Sequence, residues 1–284
     1  MSTHAWFPTS PCGPGCLHTP APTVPKSVCV RRLVAAGLMV LVIMLVAPVT
    51  MALGRRARLA VIRVLFRMML AAFGVRIEVC GEKLVESGRG QLIAINHVSW
   101  LDIVGMSAVR PMRSVAKKEI GQWPIVGRLA TVAGTVYIDR EHLRTLPDTV
   151  AEMADELREG AVINFCPEGT TWCGLAGGRF RPALFQSAID GGVPVRPVAI
   201  RYRLAEGTIT TWPAFVGDET FLDAARRVAR LRGLVMEVHV LPEIAPGKAA
   251  DRFELAAMCQ AAARKVLDRD LDPDTEHALR HAVA

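Results

Sequence analysis

The sequence has no paired Cys-x2-Cys unit, no Gly-x-Ser-x-Gly elbow and no internal repeat. The first absence argues against the common zinc frameworks, which hold their metal with closely spaced cysteine pairs. The seven cysteines (12, 16, 29, 80, 166, 173 and 259) are odd in number and irregularly spaced. They read as reduced thiols, and no metal site is expected. Cys166 and Cys173 flank a loop but read as small buried hydrophobes. The second absence removes the turn that presents a nucleophilic serine at the top of an α/β-hydrolase sheet. Charge is scarce for a soluble enzyme and plentiful for a polytopic membrane protein: 21% of residues are Asp, Glu, Lys or Arg, against a hydrophobic share of 51%. A soluble domain with a membrane anchor satisfies both numbers.

The 284 residues suffice for one substantial domain with appendages, since a single core organises roughly 100–200 residues. The balance of 34 Lys+Arg against 27 Asp+Glu leaves a net charge of +7, which favours phospholipid head groups, phosphorylated substrates or nucleic acid. Nucleic acid is the poorest fit, because the basic residues between 55 and 67 alternate with aliphatics instead of forming a solvated stripe.

Residues 1–30 are rich in proline and small polar residues and include Cys12-Gly13-Pro14-Gly15-Cys16, so this tail is expected to be disordered. Residues 31–74 form the anchor. Every residue from Leu33 to Leu53 is uncharged, and a helix of that length reaches about 31 Å, roughly a hydrocarbon core. The run is longer and further from the N-terminus than the apolar region of a cleaved signal peptide. Arg55, Arg56 and Arg58 follow, and Arg63 and Arg67 sit among Val61, Leu65, Phe66, Met69 and Leu70. That pattern predicts an amphipathic interfacial helix over 55–73. Arginines crowd this flank more than the other (Lys26, Arg31, Arg32), which puts the following domain in the cytoplasm, with the plasma membrane as the expected location. A spanning helix and a re-entrant hairpin are both compatible with the sequence.

From residue 75 to 284 the pattern becomes strands alternating with helices. Strands are expected at Val75–Val79, Gln91–Ile95, Arg113–Ala116, Gly134–Ile138, Val162–Phe165, Val195–Tyr202 and Leu234–Leu241. Helices are expected at Trp100–Ala108, Leu143–Glu159, Ala183–Asp190 and Phe253–Leu267. Alternation of this kind implies an α/β fold, a single domain with a mostly parallel sheet flanked by helices, preceded by an N-terminal membrane-anchoring helical segment.

The apolar strand Leu92–Ile95 runs into Asn96-His97, and Asp102 lies about one helical turn further on. A histidine at the C-terminal edge of a parallel strand can take a proton from an alcohol, while a carboxylate on its other nitrogen fixes the tautomer. His97 and Asp102 are therefore the candidate catalytic pair. The bare pattern is weak, because a histidine near a helix start looks the same.

Four segments in order resemble the glycerolipid acyltransferases that acylate 1-acylglycerol-3-phosphate and related lysolipids. Asn-His-x-Ser-x-x-Asp is matched by residues 96–102. A glycine with apolar residues and Asp-Arg is matched by Gly134-Thr135-Val136-Tyr137-Ile138-Asp139-Arg140. Phe-Pro-Glu-Gly-Thr-Arg becomes Cys166-Pro167-Glu168-Gly169-Thr170-Thr171, and Val-Pro-x-x-Pro-Val is residues 193–198. The resemblance covers 75–242. It implies transfer of an acyl group from acyl-CoA or acyl carrier protein to the free hydroxyl of 1-acylglycerol-3-phosphate, giving phosphatidic acid, with membrane lipids as partners and no cofactor beyond the acyl donor. It also implies substrate-binding roles for Asn96, Ser99, Lys117, Arg140, Glu168, Gly169 and Thr170. Two departures stand out: Cys166 replaces Phe, and Thr171 replaces an arginine that would meet phosphate. Arg179 and Arg181 are the candidates to restore that charge; alternatively the acceptor is another lysolipid, such as a lyso-ornithine lipid. The rival readings are a thioesterase or lipase using Ser99 or Cys166, and a non-catalytic lipid-binding protein.

Overall fold

The apolar run and the arginine-rich stretch after it fold as a helical hairpin in the computed structural model, which describes residues 10–17, 21–84 and 88–268. Helix α1 spans Lys26–Met51 and α2 spans Arg55–Phe73. Among the described residues α1 is the one helix long and apolar enough to cross a membrane. Val34, Leu38, Leu41, Leu45 and Val49 along it remain exposed. Both free ends of the hairpin are tied to the rest of the chain on one side. At the start of α1 the Arg32 guanidinium donates to the carbonyls of Ala229 (3.1 Å) and Leu231 (2.6 Å), and Val24 N–H donates to Arg230 (2.8 Å). At the end of α2, Met69, Leu70 and Phe73 are buried. Gly74 stops the helix with φ 74°, and a Cβ there would collide with the Arg32 guanidinium.

After the hairpin come β1 (Arg76–Gly81), β2 (Gln91–Ile95), α3 (Leu101–Val109), β3 (Arg113–Lys117), α4 (Lys118–Gly121), α5 (Val126–Val132) and β4 (Val136–Ile138). Then follow α6 (Leu146–Arg158), β5 (Val162–Phe165), α7 (Gln186–Gly191), β6 (Val195–Leu204), α8 (Phe221–Arg230), β7 (Leu234–Val240) and α9 (Arg252–Leu267). The strands make one seven-stranded sheet in the order β1-β7-β6-β2-β5-β3-β4. β6 and β7 are antiparallel and the other neighbours are parallel. The expected α/β fold with a mostly parallel sheet is thus present.

β2 lies at the centre with all five residues buried, which is why it reads as an unbroken apolar run. Its side chains divide between two cores. Ile93 and Ile95 pack with Leu70, Phe73, Leu101, Met106, Ile200 and Met236 beneath the hairpin. Leu92 and Ala94 pack with Met153, Phe165, Phe185, Leu255 and Cys259 on the opposite face. Strand register then positions the chemistry. Ala94 is paired with Phe165 and Ile95 with Val198, so the residues following β2 and β5 emerge together at the sheet's C-terminal edge.

Several expectations are corrected. The tail is not disordered throughout: residues 10–17 and 21–25 pack on the domain. Thr211 Oγ1 donates to the Cys16 carbonyl (2.8 Å) and Ser10 Oγ to that of Thr171 (2.8 Å). The remainder of 1–30 up to Pro25, residues 1–9 and 18–20, lies outside the described residues. α1 begins at Lys26, ahead of the expected Leu33. α6 begins at Leu146 after a 3-10 turn at Leu143–Thr145, with proline in its first turn. The helix α8 was not expected at all. Its start is signalled by Thr220, whose hydroxyl accepts from Asp223 N–H (3.2 Å).

Candidate active site

His97 leaves β2 held from three directions. Its backbone N–H donates to Glu168 Oε2 (2.6 Å), its carbonyl accepts from Trp172 N–H (2.8 Å), and its ring Nδ1 meets Asp102 Oδ2 at 2.9 Å. Asp102 stands in the first turn of α3 with its side chain fully buried. The same Oδ2 accepts from the N–H groups of Val98 (2.7 Å) and Ser99 (2.8 Å), and Oδ1 accepts from the Tyr202 hydroxyl (2.7 Å). Three donors besides the imidazole compensate a charge that burial would otherwise make costly. An ionised carboxylate only accepts, so Nδ1 is the imidazole nitrogen that carries the proton toward it. Nε2 is then the basic nitrogen, on a side chain 23% exposed. Burial opposes charge on His97, whereas the Cys166 sulfur and the Asp102 carboxylate favour it, and the net is a pKa well above the ordinary histidine range. Burial and the Asp102 charge push the Tyr202 hydroxyl well above its usual value, so it stays a donor.

Asn96 and Ser99, the expected substrate contacts, are buried and hydrogen-bonded within the protein, and Asn96 also lines the pocket beside His97. The Asn96 side chain pairs with the backbone of Ile200, donating to its carbonyl (3.0 Å) and accepting from its N–H (2.6 Å). This prolongs the β2–β6 pairing and fixes where His97 emerges. Ser99 is fully buried and its Oγ accepts from Leu101 N–H (3.3 Å). A hydroxyl so enclosed is out of reach of an acyl donor, which removes it as a nucleophile.

Glu168 also acts within the protein. Its two carboxylate oxygens accept from His97 N–H and from Gly178 N–H (2.8 Å), and burial lifts its pKa to about 7 against the pull of those donors. These two contacts brace the turn after β5. Gly169 has φ 77°, and a Cβ there would sit 3.2 Å from Arg181 Nε. Thr170, the next residue in that turn, is half-buried. Thr171, where the resemblance calls for arginine, closes the loop by donating from Oγ1 to the Phe215 carbonyl (2.6 Å).

The cations divide. Arg140 is half-buried after β4, within electrostatic range of Glu119, Arg181 and Cys166, and burial lowers its pKa. Its neighbour Asp139 is occupied by Lys118 (2.9 Å) and His142 (3.1 Å). Arg181 lies within electrostatic range of Arg140, whereas Arg179 and Lys117 are exposed. Between the His97 turn, the 168–180 loop and α9 lies a small pocket, lined by Asn96, Val98, Glu168, Trp172, Phe180 and Arg264 among others. His97 is part of that lining.

One participant, Tyr202, went unrecognised in the sequence, whereas Cys166, read there as a small buried hydrophobe or a rival nucleophile, stands beside the imidazole. Tyr202 is one of only two tyrosines, and a tyrosine in a largely buried strand needs a hydrogen-bond partner, which was the available signal. Cys166 follows β5 as His97 follows β2, so the sheet register brings its sulfur beside the imidazole.

Residues 76–201 match the family model described as Acyltransferase. A 1-acyl-sn-glycerol-3-phosphate acyltransferase of Neisseria meningitidis is 38% identical over 208 residues, covering 72% of this chain and 80% of the relative. The chain belongs to the acyltransferase family. This acyltransferase is also 37% identical to a lyso-ornithine lipid O-acyltransferase of Pseudomonas aeruginosa, over 70% of this chain and 75% of that one. Its fold is similar to the crystal structure of the 1-acyl-sn-glycerophosphate acyltransferase PlsC from Thermotoga maritima. The TM-score is 0.64, with 18% identity, 85% of this chain and 96% of that chain covered. The His97–Asp102 geometry fixes the tautomer of the imidazole, leaving Nε2 as its basic nitrogen.

Proposed function

We propose that the protein transfers a fatty acyl group from acyl-CoA or acyl carrier protein to the free hydroxyl of 1-acylglycerol-3-phosphate, forming phosphatidic acid. The observation that carries this reading is the commitment of His97 Nδ1 to Asp102, with Arg140 within electrostatic range of Arg181 and of the Cys166 sulfur that neighbours the imidazole. His97 Nε2 takes the hydroxyl proton as the oxygen attacks the thioester carbonyl, the C–S bond breaks, and the thiolate receives that proton from the imidazolium. No covalent acyl-enzyme is required. Two arginines near one point suit a phosphomonoester, which carries close to two negative charges. The general base supplies roughly 10²–10⁴ in rate, and alignment of the two substrates supplies more.

Lyso-ornithine lipid is the second reading, favoured by the threonine at 171 and by the similarity to acyltransferases of that name. Purified protein assayed with labelled acyl-CoA against both acceptors separates them. The expected result is kcat/KM at least about tenfold higher for the phosphate acceptor, the loss in free energy of one charge-assisted contact. A preference for lyso-ornithine lipid overturns the assignment.

The apolar α1 makes the protein membrane-associated. We place it on the plasma membrane, with the domain in the cytoplasm as the arginine bias indicates. A hairpin that enters and leaves on the same face is the topology we favour, supported by the docking of both the start of α1 and the end of α2 on the domain.

A further inference from the structure

Cys12 and Cys16 are separated by Gly13-Pro14-Gly15, which curls into a 3-10 turn closed by Cys16 N–H donating to the Gly13 carbonyl (2.9 Å). The turn faces both cysteines toward Cys173, 161 positions from Cys12, and the three Sγ atoms all lie within 4.8 Å of one another. We propose that Cys12, Cys16 and Cys173 bind one soft divalent cation, zinc above all, through three thiolates.

Zinc–sulfur bonds of about 2.3 Å in a tetrahedron put the sulfurs roughly 3.8 Å apart, so a small inward movement of side chains completes the site. Each thiol surrenders its proton as its sulfur–metal bond forms, and a water fills the fourth position. Backbone donors already point at the sulfurs: Cys173 N–H reaches Cys12 Sγ (3.2 Å) and Ala176 N–H reaches Cys173 Sγ (3.4 Å). Such donors stabilise thiolate rather than thiol. Cys12 and Cys173 are buried, and Cys16 is half-exposed, leaving an entry. A disulfide would consume two sulfurs and strand the third. The spacing argument missed the site because its third ligand is remote in sequence.

The metal would fasten the segment ahead of α1 to the loop that supports His97. Thr171 and Cys173 carry the anchoring contacts, and Trp172 between them donates to the His97 carbonyl. This assignment does not depend on which lysolipid is acylated.

The test is elemental analysis of the full-length protein, purified in detergent with reductant and dialysed against buffered zinc. Roughly one zinc per chain is expected, with Cys12→Ser, Cys16→Ser and Cys173→Ser each lowering it at least about tenfold and Cys80→Ser leaving it unchanged. Release of the zinc by a thiol-specific mercurial, followed by a colorimetric chelator, reads the same site in unmutated protein and does not require the variants to fold. Absence of bound zinc in folded wild-type protein overturns the proposal. So does equal zinc content in all variants, or a Cys12–Cys173 or Cys16–Cys173 disulfide as the main species in peptide mapping without reductant.

Discussion

His97 carries opposing demands. A base must be unprotonated to accept the alcohol's proton, yet the Cys166 sulfur and the Asp102 carboxylate favour the imidazolium over the opposition of burial. The unprotonated fraction grows as pH rises through this raised value, so kcat/KM climbs over that interval. Its acid limb should have a midpoint above about 6.5, the ordinary histidine value. Cys166→Ala removes one of the groups holding the value up while leaving direct attack intact. A pH–rate profile of this variant should show the midpoint moved to lower pH and a plateau within about tenfold of wild type. Loss of about 10² or more would make Cys166 a covalent nucleophile and contradict direct transfer. The His97 and Asp102 pairing was legible as a motif, because one short loop entering α3 brings Asp102 Oδ2 to the imidazole and to the Val98 and Ser99 N–H groups together. Tyr202 was not, because its approach to Asp102 depends on β6 lying beside β2, a long-range pairing that local pattern does not contain.

At the scale of elements, strands and long helices follow their apolar period closely, and the disagreements cluster where packing decides. β2 is found at the predicted Gln91–Ile95 and α9 within one residue of its predicted start. α8 escaped notice because alanine and arginine dominate it, and its apolar stripe is narrow. The α1–α2 hairpin shows the same contrast. Hydropathy found both helices, whereas their shared docking face rests on Arg32 reaching the carbonyls that end α8. An arginine bound this way holds the start of α1 beside the domain. Tags placed ahead of Met1 and after Ala284 should therefore be cleaved together, or protected together, when protease is added to sealed vesicles. Protection of one tag with cleavage of the other would mean that α1 spans the bilayer and that the hairpin is wrong.

For the whole molecule, the sheet order explains how motifs scattered from residue 96 to 202 become one site. β2, β5 and β6 are neighbours, so His97, Cys166 with Glu168, and Tyr202 meet around a single edge, and β4 brings Arg140 to the same end. Asn96 and Ser99, expected among the substrate-binding residues, are buried side chains that brace the loop carrying His97. A motif records which residues accompany the chemistry but does not distinguish those that meet substrate from those that hold the base in place. The central claim is that His97 is the general base of acyl transfer. It is tested most directly by comparing wild type and His97→Ala in the labelled acyl-CoA assay, with vesicle binding measured on the same preparations. The account predicts a fall of at least about 10² in kcat/KM with membrane binding unchanged, and near-normal transfer by the variant would contradict it.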